Sequence, residues 1–488
     1  MRHRSIRLAL LASAIGLVAS PAAADTLREA LNQAYRSNPT LQAARAGQRA
    51  TDETVPIQKS SGRPNASATA QHIEFVKQAS TSFTAPARAS AVGLDLNVPL
   101  FSGGAVKNAV KAAEIRVGAG QAELRATESA IFSQVVAAYM DVLRNQAIVG
   151  LTANQVDVLT VNLQATSDRF EIGDLTRTDI AQSQSRLAVA QSDFQSAQAN
   201  LIGARETYIQ LVGDAPDALQ PPPPLPGLPA SPMGAMEIAL ENNPNLIAAR
   251  ERADASGLDI DVAGAGRLPR VSLFAGGDYT NFLGSLGSFT GGPADQTTIA
   301  AQVGVSISIP LFQGGRPAAL ERQAQANSAA ALERMIAEER EVIATVRAAY
   351  ASWQAAGGII ESSLSAVAAA ELSLEGVRAE NTVGNRTILD ILNAEQELLS
   401  ARVQLVTARR NAYVAGFSLL AAMGRAEARD LGLEDDGPLY DPQLNFDRVQ
   451  GKWFDWDRDP DPVAQSTRTI DIPAPGAEIP AIDDSQSN

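Results

Sequence analysis

The sequence predicts a mainly α-helical fold with a transmembrane β-barrel portion. In it, one unit of strand hairpin plus long coiled-coil-like helices is written twice. Three observations carry this prediction: an internal repeat, two long proline-free stretches, and segments of strictly alternating polarity.

The repeat is read first because it decides the architecture. Gly173 and Gly384 lie 211 residues apart, and so do Asp179 and Asp390. The same offset joins NVPLFSGG (Asn97–Gly104) to SIPLFQGG (Ser308–Gly315), Tyr139 to Tyr350, and LVG ending at Gly213 to AMG ending at Gly424. Upstream the offset becomes 205: SNPTLQAAR around Pro39 pairs with NNPNLIAAR around Pro244. Residues 25–219 form the first repeat and 233–428 the second, joined by the Pro-rich linker Gln220–Pro232. Residues 429–488 form an acidic, Pro-rich tail, expected to be largely disordered.

The opening MRHRSIRLALLASAIGLVASPAAA has a basic start, an apolar run and a small-residue end. It reads as a signal peptide, residues 1–24, cut after Ala24. The first strand hairpin is placed at about 66–101. In its second strand Val92, Leu94, Leu96 and Val98 share one face, against Gly93, Asp95 and Asn97 on the other. The second hairpin, about 271–312, repeats this with Val303, Val305, Ile307 and Ile309 against Gly304, Ser306 and Ser308. Alternation of this kind fits a sheet facing lipid, and equally a sandwich core.

The chain has 26 prolines, yet none between Leu100 and Ala215 or between Ala318 and Gly437. Proline's exclusion from helix interiors makes both gaps long helices. Each is interrupted once, at residues 171–178 and 382–389. There Gly173 and Gly384 supply left-handed caps, while Thr176 and Thr387 open Thr-x-x-Asp capping boxes with Asp179 and Asp390. Each repeat is therefore one long helix beside shorter ones, with strands at one end and a tight turn at the other.

Composition narrows the chemistry. There is no cysteine, and only His72 remains once the signal peptide is removed. No metal site, no cofactor and no catalytic set is expected, so the chain is read as a non-enzyme. The mature chain holds 37 basic against 54 acidic residues, a net of −17, which disfavours nucleic acid as a partner. No stretch after the signal peptide is long and apolar enough for a spanning helix. Strands with greasy alternate faces need closure in a bilayer, and about eight is the smallest closed number. Three chains giving about twelve strands is the natural count on that argument.

The turn VGNRTILDILNAE, the PLFQGG junction, the SNP opening and the duplicated plan resemble the TolC family of outer-membrane efflux proteins, over about Thr26 to Arg425. The resemblance implies a homotrimer whose 12-stranded β-barrel, set in outer-membrane lipid, continues into a periplasmic α-helical barrel. It also implies an exit duct for efflux or type I secretion, working with a periplasmic adaptor and an inner-membrane pump of the RND or ABC type. The turns would be its periplasmic tips.

By the same resemblance Asp390 falls at a constriction-ring aspartate. Asn393 stands where the best-known members have a second one, so that ring would be uncharged. Arg386 and Asp179 match positions that tie neighbouring hairpins shut, although Asn381 replaces a tyrosine that helps there. The bland reading is that both aspartates only cap helices. Phe101 and Phe312 are expected as aromatics at the bilayer rim, or as packing against the adjacent helix. The competing function is an exported coiled-coil scaffold or periplasmic adaptor without its own pore.

Overall fold

The computed structural model describes residues 26–77, 86–287, 292 and 294–479. The expected signal peptide, the hairpin loop about residues 78–85 and the last nine residues of the tail lie outside them. In chain order the first repeat runs α1 (Leu27–Ser37), α2 (Pro39–Asp52), α3 (Thr54–Ser60), β1 (Asn65–Glu74), β2 (Arg88–Phe101), α4 (Ala105–Glu171) and α5 (Arg177–Val212). The second runs α6 (Pro232–Asn242), α7 (Pro244–Gly264), β3 (Arg270–Asn281), β4 (Thr297–Ser308), α8 (Arg316–Thr382) and α9 (Ile388–Ala422). A short helix, α10 (Pro442–Val449), lies in the tail. Both long helices are 67 residues, roughly 100 Å at 1.5 Å per residue.

The repeated motifs mark where the repeats are pinned. Asn38 caps α2 through the amides of Thr40 and Leu41, and its Nδ2 donates to the Leu211 carbonyl at 2.9 Å. Asn243 does the same for α7, donating to the Ala422 carbonyl at 2.9 Å. One side chain thus satisfies free groups at a helix start and at the end of a returning helix. Gly424 (φ +70°) is needed there, because a Cβ would lie 2.4 Å from the Asn242 carbonyl oxygen. The two tyrosines hold the ends of the linker: Tyr139 donates to the Gln220 carbonyl at 2.7 Å and Tyr350 to that of Ala230 at 3.1 Å.

The main core sits at mid-length of α4. There Phe132, Val135, Val136 and Tyr139 pack with Leu41, Leu201, Tyr208, Phe417, Leu419 and Met423. Each such side chain, fully buried, contributes about 1.5–3 kcal/mol. α4 packs against α5, α7 and α9, whereas α8 packs against α7 and α9 and leaves Leu332, Ile359, Leu364 and Leu372 exposed. α5 and α8 therefore lie at opposite margins of the helical layer.

The strands correct the expected fold class. One chain forms no closed barrel, and no 12-stranded one. The four strands make a single open antiparallel sheet in the order β1-β2-β3-β4, with β1 and β4 at its edges. The fold is mainly α-helical, and among the described residues no helix is long and apolar enough to cross a membrane. The reason lies in strand count: the duplication supplies four, about half the number with which outer-membrane barrels close. The helices likewise form an open layer rather than a helical barrel, since the layer ends at α5 and α8.

Candidate functional site

The two hairpin tips share one construction. In the first, Gly173 (φ +83°) carries the chain out of α4, and the Asp174 amide donates to the Arg169 carbonyl at 2.9 Å. In the second, Gly384 (φ +80°) does this after α8, and the Asn385 amide donates to the Glu380 carbonyl at 2.9 Å. No atom crowds either glycine, so the positive φ alone selects it.

The next helix then starts from a complete capping box. Thr176 Oγ1 accepts from the Asp179 amide, while Asp179 Oδ2 accepts from the Thr176 amide and hydroxyl, both at 2.8 Å. Thr387 and Asp390 repeat this at 2.9 and 2.8 Å. The Thr amide and hydroxyl hold each carboxyl below the usual range, with a small further contribution from Arg386 at Asp390.

The structure brings each aspartate to its own threonine and does not join Arg386 to Asp179. Arg386 Nε donates to Glu380 Oε2 at 2.7 Å, within its own turn. Asn381, at the position of the family tyrosine, donates to the Arg386 carbonyl at 2.7 Å. Asn393 does reach across hairpins: its Oδ1 accepts from Arg186 on α5 at 2.7 Å.

A second link between hairpins involves residues that sequence reasoning missed. Glu395 on α9 is 2% exposed, accepts from Arg378 on α8 at 3.0 Å, and accepts from Asn162 on α4 at 3.0 Å with both oxygens. The available signal was asymmetry. At the 211-residue offset the first-repeat partners of Arg378 and Glu395 are Ser167 and Gln184, so this charge appears in one copy only, whereas Asn393 and its partner Gln182 are both uncharged.

At the far end, Val92, Leu94, Leu96, Val303, Val305, Ile307 and Ile309 are exposed and Val98 is half-buried. The strand register puts them on one face, with Leu94 opposite Gly277 and Val305 opposite Leu273. Ile309 lies one residue past β4. Asp95 and Asp278 occupy the other face, each leaning over a glycine: Asp278 over Gly93 and Asp95 over Gly276. Phe101 and Phe312 sit exposed where strands become helices, beside Gly103, Gly104, Gly314 and Gly315, all with positive φ.

A long helical layer with a two-faced sheet at one end and capped tips at the other is the plan of an outer-membrane conduit. The Outer membrane efflux protein family profile matches residues 30–214 and 235–425. Outer membrane efflux protein BepC of Brucella suis is 33% identical over 92% of this chain and 96% of its own. Outer membrane protein TolC of Escherichia coli is 27% identical over 84% of each chain. The crystal structure of VceC from Vibrio cholerae covers 82% of this chain and 96% of its own, with a TM-score of 0.69 at 24% identity, a likeness of fold.

The chain belongs to the outer membrane efflux protein family, that of TolC. It is an outer-membrane exit duct of an efflux or secretion system, a transport conduit rather than an enzyme. Family membership sets aside the pore-less scaffold.

Proposed function

We propose that the duct is a homotrimer whose copies meet head to tail, the β4/α8 margin of one against the β1/α5 margin of the next. The observation carrying this is that both layers end open: β1 and β4 are unpaired edges of the sheet, and α8, at one margin of the helical layer, leaves Leu332, Ile359, Leu364 and Leu372 exposed. An unpaired strand edge and a greasy helix face are costly in lipid or water alike. A heterologous contact that closes on itself forms a ring, and the family resemblance favours three copies.

On this reading residues 1–24 direct export. The faces of Val92–Val98 and Val303–Ile309 meet lipid as transmembrane strands, with Phe101 and Phe312 at the rim. The two tips of each copy form the periplasmic entrance and the surface offered to a periplasmic adaptor, which connects it to an RND or ABC pump. Asp390 and Asn393 then lie at the narrowing, and Asp179, Thr176 and Thr387 keep the tips in shape. The test is engineered crosslinking, simplified because the chain has no cysteine. Cysteine pairs placed across the β4/α8 and β1/α5 margins should give a three-chain ladder from membranes. A chain that stays monomeric in native membranes refutes the assembly.

A further inference from the structure

The tail climbs from the core toward the sheet and turns back. Asn445 on α10 donates to Asp52 at 2.6 Å, and Phe446 packs against Val55, Ala113 and Val117. Beyond α10, Arg63 Nη1 donates to the Lys452 carbonyl at 2.6 Å, and its guanidinium lies 4.6 Å from the Trp453 ring centre. Arg63 stands just before β1, and its neighbour Gly62 packs on Val106 in the first turn of α4. Trp453 is therefore held at the height where strands become helices.

The bend beyond it is closed by ion pairs. Arg448 binds Asp459 with two bonds of 2.7 and 2.8 Å, and Lys452 reaches Asp457 and Asp459 at 3.3 and 3.2 Å. Arg458 pairs with Asp461 at 2.6 Å. This shaped loop projects Phe454, 79% exposed, and Trp456, 96% exposed.

We infer that this loop is a membrane-surface anchor, its Trp453, Phe454 and Trp456 rings seated among the phospholipid headgroups of the periplasmic leaflet. The inference rests on the reading that the strands cross the membrane. Height is the first support: the exposed Leu100, Phe101, Leu311 and Phe312 of both strand-to-helix junctions lie at the same end of the helices. Chemistry is the second. Indole combines a large apolar body with one N–H donor, which suits an interface that is apolar on one side and wet on the other. Charge is the third, because Asp457, Asp459 and Asp461 are each met by a cation, which leaves Asp455 as the one carboxylate of the loop without an ion-pair partner among the described residues. A loop shaped by ion pairs that projects aromatic rings outward has a bilayer interface as its fitting partner.

The experiment uses the full chain in phosphatidylcholine nanodiscs. Trp353→Phe with Trp453→Phe leaves Trp456 as the sole indole. Lipid brominated near the head of its acyl chains should quench Trp456 roughly twofold or more, and lipid brominated near the chain ends much less. A control carries Val303→Trp after all three native tryptophans are replaced by Phe, and should be quenched best by the deep bromines. If the control is quenched and Trp456 is open to acrylamide but not to bromine, the anchor is overturned while the membrane reading stands. If Trp456 is shielded from both quenchers, protein covers it and the anchor is again overturned. If neither indole meets bromine, the membrane reading and the anchor fall together.

Discussion

Replacing Glu395 by Ala should loosen the joint between the two hairpins without unfolding the chain. Glu395 is a buried carboxylate that ties α9 both to its own hairpin, through Arg378, and to the other hairpin, through Asn162. Removing it leaves the half-buried Asn162 amide without its acceptor, a loss at the lower end of about 1–3 kcal/mol. Arg378 is 52% exposed and returns to water, so its share is only about 0.5–1 kcal/mol. Together these come to about 2 kcal/mol per copy. Only the Asn162 share, about 1 kcal/mol, acts between hairpins, and at 1.4 kcal/mol per factor of ten it is about 5-fold in the ratio of parted to joined hairpins. Conductance across planar bilayers, with melting followed in parallel, reads both consequences. Conductance or open probability should rise in Glu395→Ala, and Glu395→Gln should lie between it and the parent because it keeps an acceptor for Asn162. Unchanged conductance in the face of reduced melting temperature would show that the link holds the helices in place but has no part in gating.

Four further outcomes are expected. Thr387→Ala and Thr176→Ala each remove a helix cap, costing about 1 kcal/mol, read as faster amide exchange in the first turn of α9 or α5. Asp390 and Asp179 have lowered pKa values in the fold, so their capping is complete above the ordinary value of 3.8 and lost as pH falls below it. Exchange at the tips should therefore rise on acidification, and a flat response refutes the capping role.

Glu128 behaves in the opposite sense. Its Oε1 accepts from the Ala428 amide at 2.6 Å, but burial dominates and raises it from 4.5 to about 7, with Glu427 adding to the rise against Arg45 and Arg125. The folded chain holds the proton between those values, so stability should fall by about 3 kcal/mol as pH rises through that window. Glu128→Gln should flatten the melting profile over it. Val303→Arg, on the face assigned to lipid, should cost about 2–4 kcal/mol near the bilayer middle and reduce assembled duct in outer-membrane fractions.

Much of the fold was legible because duplication makes structure visible as spacing. The two asparagines, two tyrosines and paired glycines recur at fixed offsets, and each proves to hold backbone groups that any helical hairpin of this plan leaves free. The expected barrel is not what the chain forms, because its four strands stay open as one sheet. The tail's attachment was hidden. Arg63 on Trp453, Arg28 on Asp436 and Tyr35 on the Tyr440 amide join residues some 390 to 410 positions apart, with no periodicity to announce them.

The tips show why resemblance locates a site more easily than it assigns roles within it. Thr-x-x-Asp is dictated by the free amides at a helix start, so it appears in both repeats and in the structure caps both helices. A link between hairpins cannot be repeated in this way, because its two halves must differ in donor and acceptor. Glu395 needs an acceptor's charge where the first repeat has Gln184, and Arg378 a donor's where it has Ser167. Symmetric positions in such a duplicated chain therefore report what every hairpin requires. Positions where symmetry is broken by charge, such as Arg378 against Ser167 and Glu395 against Gln184, report what one copy has acquired beyond that plan, here a buried carboxylate that also reaches Asn162 on the other hairpin.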